Sequence, residues 1–123
     1  MYIIVYINIH KLINNNIKDK KMINLEVANT IRNQINRQIL MYAGANKFTA
    51  IEQGLYFTIR NTSKYKFAHV YIKLNASDTY DITIKNNRLN TVNEVNGIYC
   101  DELSYTLDGM WETEEYLKQF GDA

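Results

Sequence analysis

The chain has 123 residues, 46% hydrophobic and 22% charged, with a formal net charge of +1 and no proline. That length fits one domain able to bury about two-thirds of its extended surface, and the composition excludes a chain disordered throughout and any collagen-like or Pro-rich architecture. One Cys and two His exclude a disulfide framework and a Cys/His zinc site, which takes about four such ligands.

The opening run, Met1 to Ile13, is far short of the roughly 20 apolar residues that span a bilayer. It also lacks the leading basic stretch and small-residue cleavage pattern of a secretory signal. A cytoplasmic protein of a bacterial cell, with no membrane contact, is therefore expected. Ile and Asn occur 16 times each, and their codons, like those of Lys and Tyr, are A/T-rich, which points to an A/T-rich source genome. In such a genome Lys18-Asp19-Lys20-Lys21 can be encoded by AAG-GAT-AAA-AAA, whose AAGGA is a bacterial ribosome-binding sequence just ahead of Met22. Two readings of residues 1–21 stand side by side: a translated leader before a start at Met22, or a strand over Tyr2–Ile9, rich in β-branched and aromatic residues. In both, Asn14 to Lys21 reads as a polar linker. Residues 22–123 are then the single α+β domain.

From Asn24, a candidate N-cap with Glu26 in the first turn, the apolar period becomes helical. Ala28, Ile31, Ile35, Ile39 and Tyr42 recur at three- and four-residue steps up to Gly44, which predicts an amphipathic helix over about 25–43. Its polar face carries Asn29, Arg32, Asn33, Asn36 and Arg37. A solvated face is the plain reading; Arg32 and Arg37 are candidates for phosphate contact.

Between Lys47 and Lys85 the period is two. Phe48–Ile51 and Leu55–Arg60 flank a tight Glu52-Gln53-Gly54 connection, Asn61 to Lys64 turns the chain again, and Asn75 to Asp78 joins Val70–Leu74 to Tyr80–Ile84. This predicts an antiparallel meander of three to four strands. One face is apolar (Leu55, Phe57, Ile59; Val70, Ile72, Leu74; Tyr80, Ile82, Ile84), and the helix can cover it. The other presents Tyr56, Thr58 and Arg60, then His69, Tyr71 and Lys73, then Asp81, Thr83 and Lys85. Aromatic rings interleaved with cations suit single-stranded nucleic acid, because bases stack on the rings while cations hold phosphate. Arg60, His69, Tyr71, Lys73 and Lys85 are the candidate residues; ordinary cross-strand pairing is the competing explanation.

After the loop 86–90, Val95, Tyr99, Leu103 and Leu107 fall at four-residue steps and predict a second helix from about Glu94 to Asp108-Gly109. Thr113, with Glu114 and Glu115 behind it, starts a short last helix. Trp111 and Phe120 close the core if buried; if exposed, they mark a partner-binding patch. Charge is bipolar: residues 1–93 hold thirteen Lys/Arg and five Asp/Glu, a net of +8, while residues 94–123 hold one Lys and eight Asp/Glu, a net of −7. The acidic end, with Glu112, Glu114 and Glu115, is either a solvated helix or a surface for a basic partner protein or another copy.

Catalysis finds little support. Cys100 has only His69 as a prospective imidazole partner, and the adjacent Asp101 and Glu102 disfavour the thiolate that nucleophilic chemistry needs. Neighbouring carboxylates point to different sides of a helix. Glycine-rich phosphate loops, Ser-centred elbows and HExxH patterns are all absent. No catalytic residue, metal ligand or cofactor is expected.

The run from Ile31 to Asp81, with Met41-Tyr42-Ala43-Gly44-Ala45-Asn46, Gly54 to Ile59, Ile72-Lys73-Leu74-Asn75 and Asp78-Thr79-Tyr80-Asp81, resembles short uncharacterised proteins of Firmicutes phages and mobile elements. In these a helix ending in Met-x-Gly-Ala precedes a Gly-Leu-x-Phe strand and an Asp-x-Tyr strand, and a Tyr-x-Asp-x-Leu helix follows, here Tyr99 to Leu103. The similarity covers about the last hundred residues, from near Met22. It implies a non-catalytic accessory or anti-defence protein that acts by binding, for example by inhibiting a host protein complex that targets nucleic acid. It carries over no site residue. The expected architecture is thus α+β: an N-terminal amphipathic helix on a three- to four-stranded antiparallel meander, then a C-terminal helical segment. A single-stranded nucleic-acid-binding protein using the sheet face is the alternative function, and a small enzyme the least supported.

Overall fold

The computed structural model describes residues 17–60 and 62–112. Helices α1 (Ile17–Gln34) and α2 (Arg37–Tyr42) precede strands β1 (Asn46–Ile51), β2 (Gly54–Ile59), β3 (Ala68–Leu74), β4 (Tyr80–Lys85) and β5 (Thr91–Ile98). A 3₁₀ turn (Cys100–Glu102) then leads into α3 (Leu103–Trp111). The five strands form one antiparallel meander in the order β1-β2-β3-β4-β5. The α+β class is as expected, with five strands instead of three to four and a first helix that begins well inside the chain. The Tyr2–Ile9 strand and the helix from Thr113 lie outside the described residues.

The alternation of the central strands decides which face is core. Leu55, Phe57, Ile59, Val70, Ile72, Leu74, Tyr80, Ile82 and Ile84 are all buried, as a half-covered antiparallel sheet requires. Ile23, Val27, Ala28 and Ile31 of α1 close over them, and Leu103, Leu107, Met110 and Trp111 of α3 complete the same core.

The first helix departs from its expected span at both ends. It starts at Ile17, so the last part of the expected linker is helical, and Asn24 lies inside it. The Asn24 side chain instead accepts from Gln53 N in the β1–β2 turn (3.1 Å). At the other end the helix breaks at Ile35–Asn36. The Asn36 N–H, which a continuous helix would use internally, donates to Ser104 Oγ of α3 at 2.7 Å, while Asn36 Oδ1 accepts from Gln38 N at 2.8 Å and caps α2. Gly44, at φ +66, ends α2 as its position predicts.

Residues 94–98, expected to open the second helix, belong instead to strand β5. Its Thr, Val and Ile residues suit a pleated surface, and Val95 and Ile98 are its half-buried apolar residues. The four-residue steps joined two periods: Leu103 and Leu107 belong to α3, Val95 to the strand. Gly109 does not stop α3; Glu112, at φ +46, caps it.

Both free sheet edges are bulged. At β1, Lys47 takes φ +59, its N–H donates to Asn46 Oδ1 (2.8 Å), and its carbonyl accepts from Thr49 Oγ1 (2.9 Å). At β5, Gly97 takes φ +73 and its N–H donates to Asp81 Oδ1 (3.1 Å). Bulges of this kind interrupt the regular ladder and make an edge a poorer template for another chain's strand.

Gly54 opens β2 directly after the turn, where Gln53 takes the left-handed conformation (φ +52). A Cβ on Gly54 would stand 2.4 Å from the Ile72 carbonyl oxygen of β3. Gly54→Ala should therefore destabilise by about 1–3 kcal/mol, measured by urea unfolding, because backbone must move. Tyr80, 1% exposed, donates from Oη to Gln34 Oε1 at 2.5 Å. Burial above all, then Cys100 and Asp78, pushes its phenol up to about 12. The folded chain holds this proton to higher pH than the unfolded chain, whose tyrosines titrate near 10, so stability is full below pH 10 and falls as pH rises towards 12. Tyr80→Phe should cost about 0.5–1.5 kcal/mol at pH 7 and flatten that alkaline loss in unfolding curves at pH 7 and pH 11.

Candidate functional site

With both packed helices on one side, the outer side chains of the sheet form rows set by strand register. Tyr56, Tyr71, Thr83 and Glu94 stand opposite one another across β2, β3, β4 and β5. The next row runs Thr58, His69, Lys85, Thr91, and on the other side Lys73 stands between Gly54 and Asp81.

Within this grid the rings touch. Tyr56 and Tyr71 lie 5.0 Å apart between centroids, Tyr56 and His69 stack at 5.7 Å, and Phe67 meets His69 edge-on at 5.0 Å. Such spacings fall in the favourable range for aromatic pairs. The Lys85 ammonium sits 5.2 Å from the Tyr71 ring centre, within cation–π reach. Lys73 is exposed on the neighbouring row. Tyr71, Lys73, Thr83, Lys85 and Glu94 line a shallow depression of about 460 Å³ on this face.

Tyr56 Oη lies 2.6 Å from His69 Nδ1. Burial, with a smaller contribution from Tyr71, raises the Tyr56 phenol above its ordinary value of 10, so it remains protonated through the neutral range. With neutral imidazole the phenol donates to Nδ1 and the ring proton sits on Nε2. The hydrogen bond and the stack fix the orientation of both rings. Asp81 Oδ1 accepts from Asn75 Nδ2 at 3.0 Å and from Gly97 N at 3.1 Å, which ties β4 to the β3–β4 turn and to β5.

Three of the five sheet candidates, His69, Tyr71 and Lys85, are joined by contact, and Lys73 lies next to them. Arg60 is exposed just beyond β2, its N–H donating to the Ala43 carbonyl at 2.9 Å. Arg32 and Arg37 are not part of this surface. They line a separate groove with Phe48, which packs against the core on the helix side. Trp111 is fully buried, edge-on to Phe57 at 6.1 Å, and closes the core; it is not an exposed partner contact. Glu112 is half-buried and bonded through its backbone to Asp108 and Ser63. Glu114 and Glu115 lie outside the described residues. Cys100 is half-buried in the 3₁₀ turn. Glu94 reaches the site only because 91–98 is a strand, and Phe67 only through its contact with His69. Strand alternation could have placed neither.

No family model, curated protein or solved structure matches the chain.

The Tyr56–His69 bond is part-buried and backed by stacking. Tyr56→Phe should cost no more than about 0.5–1.5 kcal/mol in thermal unfolding, and loss of the bond should appear as a change in the His69 ring-nitrogen shifts in NMR spectra.

Proposed function

We propose that this chain is a non-catalytic accessory protein of the phage and mobile-element type, that it acts by binding a macromolecule, and that the outer sheet face takes single-stranded nucleic acid. The observation that carries this reading is the Tyr56–Tyr71 pair set between the Lys85 ammonium and the exposed Lys73. Flat rings accept any base, and each ammonium can hold a phosphate, so sequence-tolerant binding follows. The ring orientations are held in advance by the Tyr56–His69 contact, which lowers the ordering cost of binding. The same face could serve against a host complex already holding nucleic acid, which is the anti-defence form of the proposal. A cytoplasmic setting belongs to it too; among the described residues no helix is long and apolar enough to cross a membrane.

Fluorescence anisotropy with labelled oligo-dT is the test. Affinity should fall steeply as salt rises, Tyr71→Ala should weaken binding by about 1–3 kcal/mol, and Lys85→Ala should reduce the salt slope by about one. Absence of binding at low salt, or binding indifferent to Tyr71→Ala, overturns the assignment of this face.

A further inference from the structure

On the helix side of the sheet, beside β1, a groove of about 840 Å³ follows the elbow between α1 and α2. Leu40, Met41 and Phe48 contribute its apolar lining, and Arg32, Asn36 and Arg37 its polar one. Met41 is 66% exposed, a large apolar side chain left in water. Arg32 Cζ lies 3.9 Å from the Phe48 ring centre. No ion pair engages Arg32 or Arg37 among the described residues. The ring face is thus already taken by a guanidinium. Two guanidinium groups over an apolar floor suit carboxylates flanked by apolar side chains.

A surface of that chemistry lies next to the groove on the same molecule. Ser104, at the start of α3, accepts the Asn36 N–H at 2.7 Å and so joins α3 to the groove wall. Around Ser104 the chain exposes the carboxylates of Asp101 and Glu102 and the rings of Tyr99 and Tyr105, the last 77% exposed. Groove and ridge thus sit side by side, and among the described residues no ion pair joins them within one chain.

We propose that the groove is filled by a second copy of this chain: the Asp101–Glu102 ridge of each copy sets against Arg32 and Arg37 of the other. A patch with a cationic half beside an anionic half matches its own copy turned by 180°, which is the requirement for a closed two-fold dimer. Met41, Tyr99 and Tyr105 supply apolar and aromatic contact, and the charges set the orientation.

Sedimentation of the full chain tests this through charge exchange. The wild type should dimerise at low salt, and high salt should weaken the dimer. R32E/R37E and D101K/E102K should each raise the dissociation constant at least about tenfold. Mixed together, the two variants should form a one-to-one heterodimer, since both contacts then pair opposite charges; that recovery shows that each variant is folded. Oligo-dT affinity should be the same in both variants as in the wild type, which keeps this result separate from the fate of the sheet face. A monomeric wild type at low salt, a dimer untouched by either reversal, or a mixture that does not associate overturns the proposal. Loss of oligo-dT binding in R32E/R37E alone also overturns it and assigns the groove to nucleic acid.

Discussion

Three adjacent strands put their Leu, Ile, Val, Phe and Tyr side chains on one side of a single sheet, and the burial of that one side is what the rest of the molecule serves. Each such side chain contributes about 1.5–3 kcal/mol when removed from water, but only if something covers it. Helix α1 covers β1 and β2 from the N-terminal side, and α3 is held by Trp111, edge-on to Phe57, which in turn meets Phe48 at 5.2 Å. Among the described residues the Trp111 indole N–H has no hydrogen-bond partner. An unmade bond of that kind costs about 1–3 kcal/mol, while burying an indole of roughly 150–250 Å² contributes about 4–6 kcal/mol. Packing wins, so the donor is tolerated.

One-sided burial leaves the other face to solvent, and the strand period then dictates what it shows. Tyr56 and Tyr71 become neighbours because β2 and β3 pair in that register; a slip of one residue would send both rings into the core. The bulges at Lys47 and Gly97 protect the two edges of the same sheet without disturbing its centre. A face of paired rings between guarded edges can meet a ligand through side chains and resists strand addition.

The elbow at Asn36 divides the cationic residues into two groups. A straight helix over 25–43 would have carried Arg32 and Arg37 along one continuous polar face. Because Ser104 captures the Asn36 N–H, α2 sets off on its own axis and the two arginines come to line a groove with Phe48. The sheet itself stands between that groove and the Tyr71–Lys85 surface, so the molecule presents two cationic regions with different neighbours: paired aromatic rings in one, an apolar floor and a nearby acidic ridge in the other.

The period-two runs of β2, β3 and β4 were legible in the residue order alone, with their core face, their outer face and the turns at Glu52–Gln53 and Asn75–Asp78, because alternation along one strand is a local property. So was the stop at Gly44. Three things were decided only by tertiary contact. The helix broke at Asn36 because a side chain 68 residues away took its N–H. The segment 91–98 became a strand because β4 offered it a partner along its whole length, against a four-residue spacing that read residues 94–98 as the start of a helix. Trp111 went inward because α3 packs on Phe57. The site followed the same division. Alternation placed Tyr71, Lys73 and Lys85 on one face, while the touching of Tyr56 with His69, the arrival of Glu94 and the removal of Arg32 and Arg37 to another surface depend on register and packing, which residue order along one segment does not encode.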